Sequence, residues 1–145
     1  MKIYKQREII RNKYGGRCAY TGKPLDENWQ IDHIESKFLI KYRAASEVSK
    51  KHDWDAYDET INQIDNPENL LPACSIVNHY KRAYDLEGFR AYMMDFHKRL
   101  ERLPKTTKRP ATVKRIAYMN AIATLFDITI DKPFSGKFYF ETVTF

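Results

Sequence analysis

Trp29-Gln30-Ile31-Asp32-His33-Ile34 is a short strand-like run that sets an acid beside an imidazole. Downstream come Asn66-Pro67-Glu68-Asn69-Leu70-Leu71-Pro72-Ala73-Cys74 and then Asn78-His79-Tyr80-Lys81. A carboxylate next to an imidazole, met later by a carboxamide and a basic residue from a helix, suits metal-assisted phosphodiester hydrolysis. That chemistry needs an activated water, neutralised charge on the phosphate and a stabilised departing 3′-oxygen, and one hard divalent cation serves the last two needs. Such an ion takes oxygen ligands, keeps several waters, and is commonly held by one or two carboxylates plus substrate phosphate. Asp32 offers a carboxylate and Asn78 a neutral carbonyl oxygen. His33 is the candidate general base, since an ordinary imidazole is largely neutral near pH 7 and can take a proton from water. A lone strand histidine is usually structural; the adjacent Asp and the later motifs favour catalysis here. Neighbouring strand residues point to opposite faces, so Asp32 and His33 can share one site only if the strand breaks or bulges there.

Outward from this run, the pattern is mixed α and β. Residues 4–14 read as a helix stopped by Gly15-Gly16. Arg17 to Tyr20 and Gln30 to Ile34 read as two short strands, the first left through Thr21-Gly22-Lys23-Pro24. His33 and Asn69 are 36 positions apart, too long for a bare loop. Inserted helices are therefore expected: one over 37–49, with Ser36 as N-cap and Phe38, Tyr42, Ala45 and Val48 in helical spacing, and another through Trp54, Tyr57, Ile61 and Ile64. A short helix should begin near Cys74 or Ser75 and carry Asn78, Lys81 and Arg82. A longer one, with Asp85 as N-cap and Pro104 at its end, carries the stripe Leu86, Phe89, Met93, Phe96, Leu100 and Leu103. Those Met and Phe residues read as core packing. Residues 111–126 form a third strong helix, and the tail, through Pro133 to Gly136 and on to Val143, reads as a closing hairpin.

The chain of 145 residues suits one compact domain, and 43% hydrophobic with 14% aromatic content argues for a folded protein. No run of about 18 apolar residues is present, which argues against a membrane span. Two cysteines make no disulfide framework, and a cytoplasmic location is expected. Charge is unevenly placed. Between His97 and Arg115, eight basic residues (Lys98, Arg99, Arg102, Lys105, Lys108, Arg109, Lys114, Arg115) face one acid, Glu101, whereas 53–68 holds six acids and neither Lys nor Arg. A basic stretch suits a phosphate backbone. On charge alone, a solvated helix end and linker explains it equally well.

The order and spacing of these motifs, from Arg17-Cys18-Ala19-Tyr20-Thr21-Gly22-Lys23 through Lys81, resembles an HNH endonuclease over roughly the first 85 residues. The resemblance implies an α+β fold: a ββα-metal core over about 14–85, with inserted helices, and a helical and hairpin extension over about 86–145 in the same domain. It implies Mg²⁺ or Mn²⁺ held by Asp32 and Asn78, His33 activating water, and DNA cut to 5′-phosphate and 3′-hydroxyl ends. The family resolves the facing problem by setting the acid and the imidazole at a strand end. Asn69 matches the middle residue of the signature and is expected to tie down the loop that orients His33; alone, it reads equally well as a turn Asn. Lys81 and Arg82, three and four positions past Asn78, are candidates to hold the scissile phosphate. Lys105, Lys108, Arg109, Lys114 and Arg115 are candidates for the DNA surface. His79, one helical step from Asn78, is left outside the metal site. Many relatives close a structural zinc site with two Cys-x-x-Cys pairs. Here the corresponding positions are Cys18 with Thr21 and Cys74 with Val77, so no zinc is expected. Cys18 and Cys74 are then expected to be buried neighbours.

The partner implied is double-stranded DNA, in a bacterial or phage-encoded protein whose oligomeric state, homodimer included, is open. The competing reading is a DNA- or protein-binding module that keeps the scaffold without turnover. RNA as substrate is a weaker third.

Overall fold

The computed structural model describes residues 6–143. Its elements run α1 (Arg7–Arg11), a 3₁₀ turn (Asn12–Tyr14), β1 (Gln30–His33), α2 (Lys37–Lys51), α3 (Trp54–Asn62), a 3₁₀ turn (Pro67–Asn69), β2 (Leu70–Ala73), α4 (Ser75–Lys81), α5 (Leu86–Met94), α6 (Phe96–Glu101), α7 (Pro110–Leu125) and α8 (Tyr139–Thr142). The architecture is α+β, with one two-stranded antiparallel sheet among the described residues. Of the first expected helix, residues 4 and 5 lie outside the described residues. The rest is α1 and its 3₁₀ turn, ended by Gly15 in the left-handed region.

β1 pairs with β2, not with the segment before it: Gln30 faces Ala73, Ile31 faces Pro72, Asp32 faces Leu71 and His33 faces Leu70. Arg17 to Tyr20 therefore corrects the expectation of a first strand. It makes only the isolated bridge Arg17 to Pro24, closed by Cys18 N–H to Lys23 O at 2.8 Å. The reason is local. Gly22 sits at φ +73°, and a side chain there would drive into the Tyr139 ring at 2.6 Å, so the chain turns tightly before a ladder can extend. Ala19 N–H instead donates to Pro72 O, while Ala19 O and Tyr20 O accept from Phe140 and Tyr139. That stitching carries Tyr20 into the centre of the protein.

The insertion is helical, as its length requires. Ser36 caps α2 through Leu39 N–H, and Asp53 caps α3 through Ala56 N–H. The buried stripe of α2 is Ile40 and Ala44, while Phe38 and Tyr42 point to solvent. The stripe 86–103 is divided at Asp95 into α5 and α6. Asp85 caps α5 through Gly88 N–H.

The expected C-terminal hairpin is absent from the described residues. Thr129 and Lys132 make an isolated bridge, and 139–142 is a helical turn whose Glu141 carboxylate accepts from Phe138 N–H at 2.8 Å. The amide groups of Tyr139 and Phe140 that a partner strand would have used are taken by the Ala19–Tyr20 carbonyls, which leaves no ladder to form.

One apolar cluster joins the motif region to the C-terminal third, from Cys18, Tyr20, Leu71 and Val77 through Phe89, Phe96 and Ile122 to Phe138. Tyr20 packs edge-on against Phe89 at 5.6 Å and Phe138 at 5.2 Å, geometry that aromatic quadrupoles favour. A smaller cluster, Ile10, Trp29 and Leu70, pins α1 to the sheet.

Candidate active site

β1 is regular to its last residue, so the strand alternation separates the two central residues. Asp32 points to the α4 face and His33 to the insertion face. The expected break or bulge is not there: pairing runs unbroken to His33 opposite Leu70.

On the α4 face, Asp32 is buried, and its carboxylate is held by two other buried groups. The Tyr20 hydroxyl donates to Oδ2, and the Lys81 ammonium lies 3.3 Å from Oδ1 and 3.1 Å from Oδ2. The Lys81 side chain is only 3% exposed. A charge that far from water is tolerated when it is paired and hydrogen-bonded, as here. Burial, with Asp32 beside it, pushes the Tyr20 hydroxyl well above its ordinary pKa, so it stays a proton donor to the carboxylate. One strand repeat back, Gln30 shares this face, and its Oε1 accepts from Asn78 Nδ2 at 2.7 Å. α4 thus runs along β1, with Asn78 against Gln30 and Lys81 against Asp32.

Lys81 is consequently not a surface phosphate contact in this arrangement, and it does not share a side with Arg82. The helix ends at Arg82, whose φ of +54° turns the chain outward and leaves its side chain exposed. Such a conformation is costly for a non-glycine residue and separates the two cations.

On the other face, His33 Nε2 lies 3.0 Å from Asp65 Oδ1. Asp65 lies in the acidic segment, just past α3, and is steadied by Gln6 Nε2 donating to its carbonyl at 3.1 Å. Asn69 sits beneath both. Its Oδ1 accepts from Glu35 N–H at 2.8 Å, and its Nδ2 donates to Glu35 O at 3.1 Å and Ile64 O at 2.9 Å. Three bonds from one carboxamide tie the chain leaving β1 to the chain arriving from α3, which fixes the backbone on both sides of the His33–Asp65 contact.

The oxygen donors fit a hard divalent cation in kind: one carboxylate, with the carboxamides of Asn78 and Gln30 alongside. Lys81 competes for that carboxylate, so cation binding at Asp32 requires the ammonium to give way. Among the described residues no group of three His, Cys, Asp or Glu side chains is placed to hold a metal.

Cys18 and Cys74 are buried neighbours, with Cys74 Sγ donating to Cys18 Sγ at 3.7 Å and Cys74 N–H reaching the same sulfur at 3.5 Å. These donors pull the Cys18 thiol down, and holding its own proton in that contact, together with burial, pushes Cys74 up. The Thr21 hydroxyl and amide lower Cys18 further, and the Val77 amide partly offsets the rise of Cys74. The remaining candidates are on the surface. Lys105, Lys108 and Arg109 are exposed between α6 and α7, and Lys114 and Arg115 are exposed on α7. Arg115 lines a cavity together with Arg82 and His79.

Three residues of the site escaped the sequence reading. Gln30 was recoverable, since it lies two positions before Asp32 on the same strand face. Tyr20 and Asp65 carried no local signal, because their roles depend on long-range stitching. Compared with protein-family models, curated proteins and solved structures, the chain matches none. Among the described residues no helix is long and apolar enough to cross a membrane.

Proposed function

We propose that this chain is an HNH-type endonuclease that hydrolyses phosphodiester bonds in double-stranded DNA with Mg²⁺ or Mn²⁺, acting in the cytoplasm. The observation that carries the reading is that Asp32 and Gln30 share the face of β1 that α4 covers, with Asn78 bonded to Gln30, and that a carboxylate-held imidazole, His33, ends the same strand.

Asp32 and Asn78 are the residues that would hold the cation, which when bound supplies charge neutralisation at the phosphate and at the departing oxygen. The chain's own groups do the rest. Asp65 fixes the His33 ring; with Nε2–H donated to it, Nδ1 is the nitrogen left to take a proton from water. Asn69 prevents the two loops that carry this pair from separating. Because His33 ends β1, a phosphate drawn across that end meets the Asp32 face and the His33 face together.

The test is cleavage of supercoiled plasmid with Mg²⁺ or Mn²⁺, against EDTA. Wild type should cut, EDTA should abolish cutting, and His33→Ala should lower the rate about 10²- to 10⁴-fold, the usual contribution of a positioned base. Undiminished cutting by His33→Ala would remove the proposed base and refute the mechanism.

The second reading, a binding module without turnover, is favoured by one observation: Lys81 already neutralises Asp32. Duplex binding that weakens steeply with salt, without cleavage across a panel of divalent metals, would select it.

A further inference from the structure

The far flank of α4, away from Asp32, is aromatic and cationic. A cavity of about 550 Å³ opens there, within the roughly 300–1,000 Å³ range of small-ligand sites. Its walls include Tyr80, Tyr84, Tyr92 and Tyr118, with Arg82 and Arg115 among the lining residues and no carboxylate. The rings form a built platform. Tyr84 stacks on Tyr92 at 5.2 Å, Arg99 lies over the Tyr92 ring at 3.8 Å, and Tyr80 packs against Tyr92 at 5.4 Å and Tyr118 at 5.8 Å. Tyr84 is 43% exposed, so the outermost ring of the stack faces water.

The two cations are available. Arg82 and Arg115 are exposed, and among the described residues neither side chain has an ion-pair or hydrogen-bond partner. Arg82 is aimed here by its left-handed backbone, and its charge lies near enough to Tyr118 to oppose the upward push that burial gives that hydroxyl. A purely structural aromatic cluster would bury its outer ring and would not need two unpaired guanidinium groups at its mouth. A flat π-surface flanked by positive charge, with no carboxylate among its lining residues, recognises a flat ligand linked to phosphates.

We propose that this cavity takes one unpaired nucleobase of the bound nucleic acid, stacked on Tyr84, with the flanking phosphates held by Arg82 and Arg115. The proposal rests on the nucleic-acid reading above and adds to it a preference for strands in which a base is free of its partner. Stacking is tolerant of base identity, because every base has a π-face.

The experiment is fluorescence anisotropy in EDTA, so that cleavage plays no part, with a labelled oligothymidylate and an abasic oligomer of equal length. Wild type should bind the oligothymidylate about tenfold more tightly than the abasic strand. Tyr84→Ala should erase that difference while leaving abasic binding unchanged, and Tyr84→Trp should restore it. Arg115→Gln should weaken both ligands and lower the slope of log affinity against log salt by about 0.7, the value for one single-strand phosphate. Equal binding of the two wild-type ligands, or an unaltered preference in Tyr84→Ala, would overturn the proposal. Plasmid cutting without any Tyr84-dependent base preference refutes the cavity alone. A Tyr84-dependent preference without plasmid cutting refutes the cleavage mechanism and supports the cavity.

Discussion

Replacing Asp32 with Asn tests whether this acid holds the fold together or is held in reserve for a cation. The substitution keeps the shape and an oxygen for the Tyr20 hydroxyl, and it removes the charge opposite Lys81. The Lys81 side chain is 3% exposed and Asp32 10%, so the stranded ammonium cannot be rehydrated without opening α4 from β1. Removing one partner of a buried ion pair costs about 3–5 kcal/mol. For a chain of 145 residues each kcal/mol is worth about 2–4 °C in Tm, so a loss of roughly 6–12 °C or more is expected. Lys81→Met should cost a similar amount, because it leaves the carboxylate with only the tyrosine hydroxyl. The double variant Asp32→Asn/Lys81→Met buries no net charge and should lie within about 2 kcal/mol of wild type, since replacing both partners of such a pair is often near neutral. Urea titrations followed by far-ultraviolet circular dichroism would supply all four corners of the cycle. The opposite pattern would refute this account. If Asp32→Asn equals or exceeds wild type in stability, or if the single losses simply add, the Asp32–Lys81 contact is not a structural pair. Asp32 is then a site residue kept at the expense of stability.

Further expectations follow from the same geometry. Asn69→Ala removes three hydrogen bonds and leaves the Glu35 amide and two carbonyls without their partner, so it should cost about 1–3 kcal/mol by denaturant titration and depress plasmid cutting with it; full activity at wild-type stability would contradict the clamp. Burial raises the hydroxyls of Tyr14, Tyr20, Tyr80 and Tyr118, so the folded state resists an ionisation that the unfolded chain undergoes near pH 10. Stability should therefore be fully present below that pH and fall above it, and a tyrosinate absorbance titration should show these four ionising late, with unfolding. Glu141 is held below its usual range by the Arg90 guanidinium, so its contribution should be present above about pH 4.5 and lost on acidification; Glu141→Gln should flatten the acid limb of a stability profile. Thr21→Cys/Val77→Cys should complete a four-thiolate site with Cys18 and Cys74, read as cobalt absorption and a Zn²⁺-dependent rise in Tm of the double variant; no metal response would mean that the two loops do not share a tetrahedral centre.

Local signals were legible wherever a single segment decides its own structure. Ser36 and Asp85 announce helix starts because a side-chain oxygen meets an amide three residues on, and the structure contains both caps. The 36-position gap between His33 and Asn69 demanded helices, and α2 and α3 fill it. Partner choice was not legible. Arg17 to Tyr20 and residues 137–143 both have the composition of strands, and each would pair given an edge. They meet one another at two backbone bonds instead, which takes up the amides the expected C-terminal hairpin would have used. The spacing that marked α2 as a helix did not say which side is buried. Phe38, Tyr42, Ala45 and Val48 repeat as regularly as Ile40 and Ala44 do, and periodicity alone does not say which side of a helix finds a core.

The site divides along the same line. Asn69, which taken alone reads equally well as a turn residue, has a long-range task that its own segment does not announce: it joins Glu35, two residues past His33, to the 64–69 loop. Asp32 and His33 could be named but not oriented, since a strand end and an unbroken strand give opposite answers and only the Leu70–Leu71 register decides between them. The insertion then matters more than its sequence suggested. Asp65, just past α3, is what the imidazole touches, so the 36-position detour returns a carboxylate to the face of β1 that Asp32 cannot reach. Two acids therefore serve one strand end from opposite sides, Asp32 paired with an ammonium and Asp65 with an imidazole. That symmetry explains how His33 can be held without sharing a face with Asp32. Under the proposed function it also sets the demand on the substrate: a phosphate would have to cross the end of β1, because no position on either face alone meets both groups.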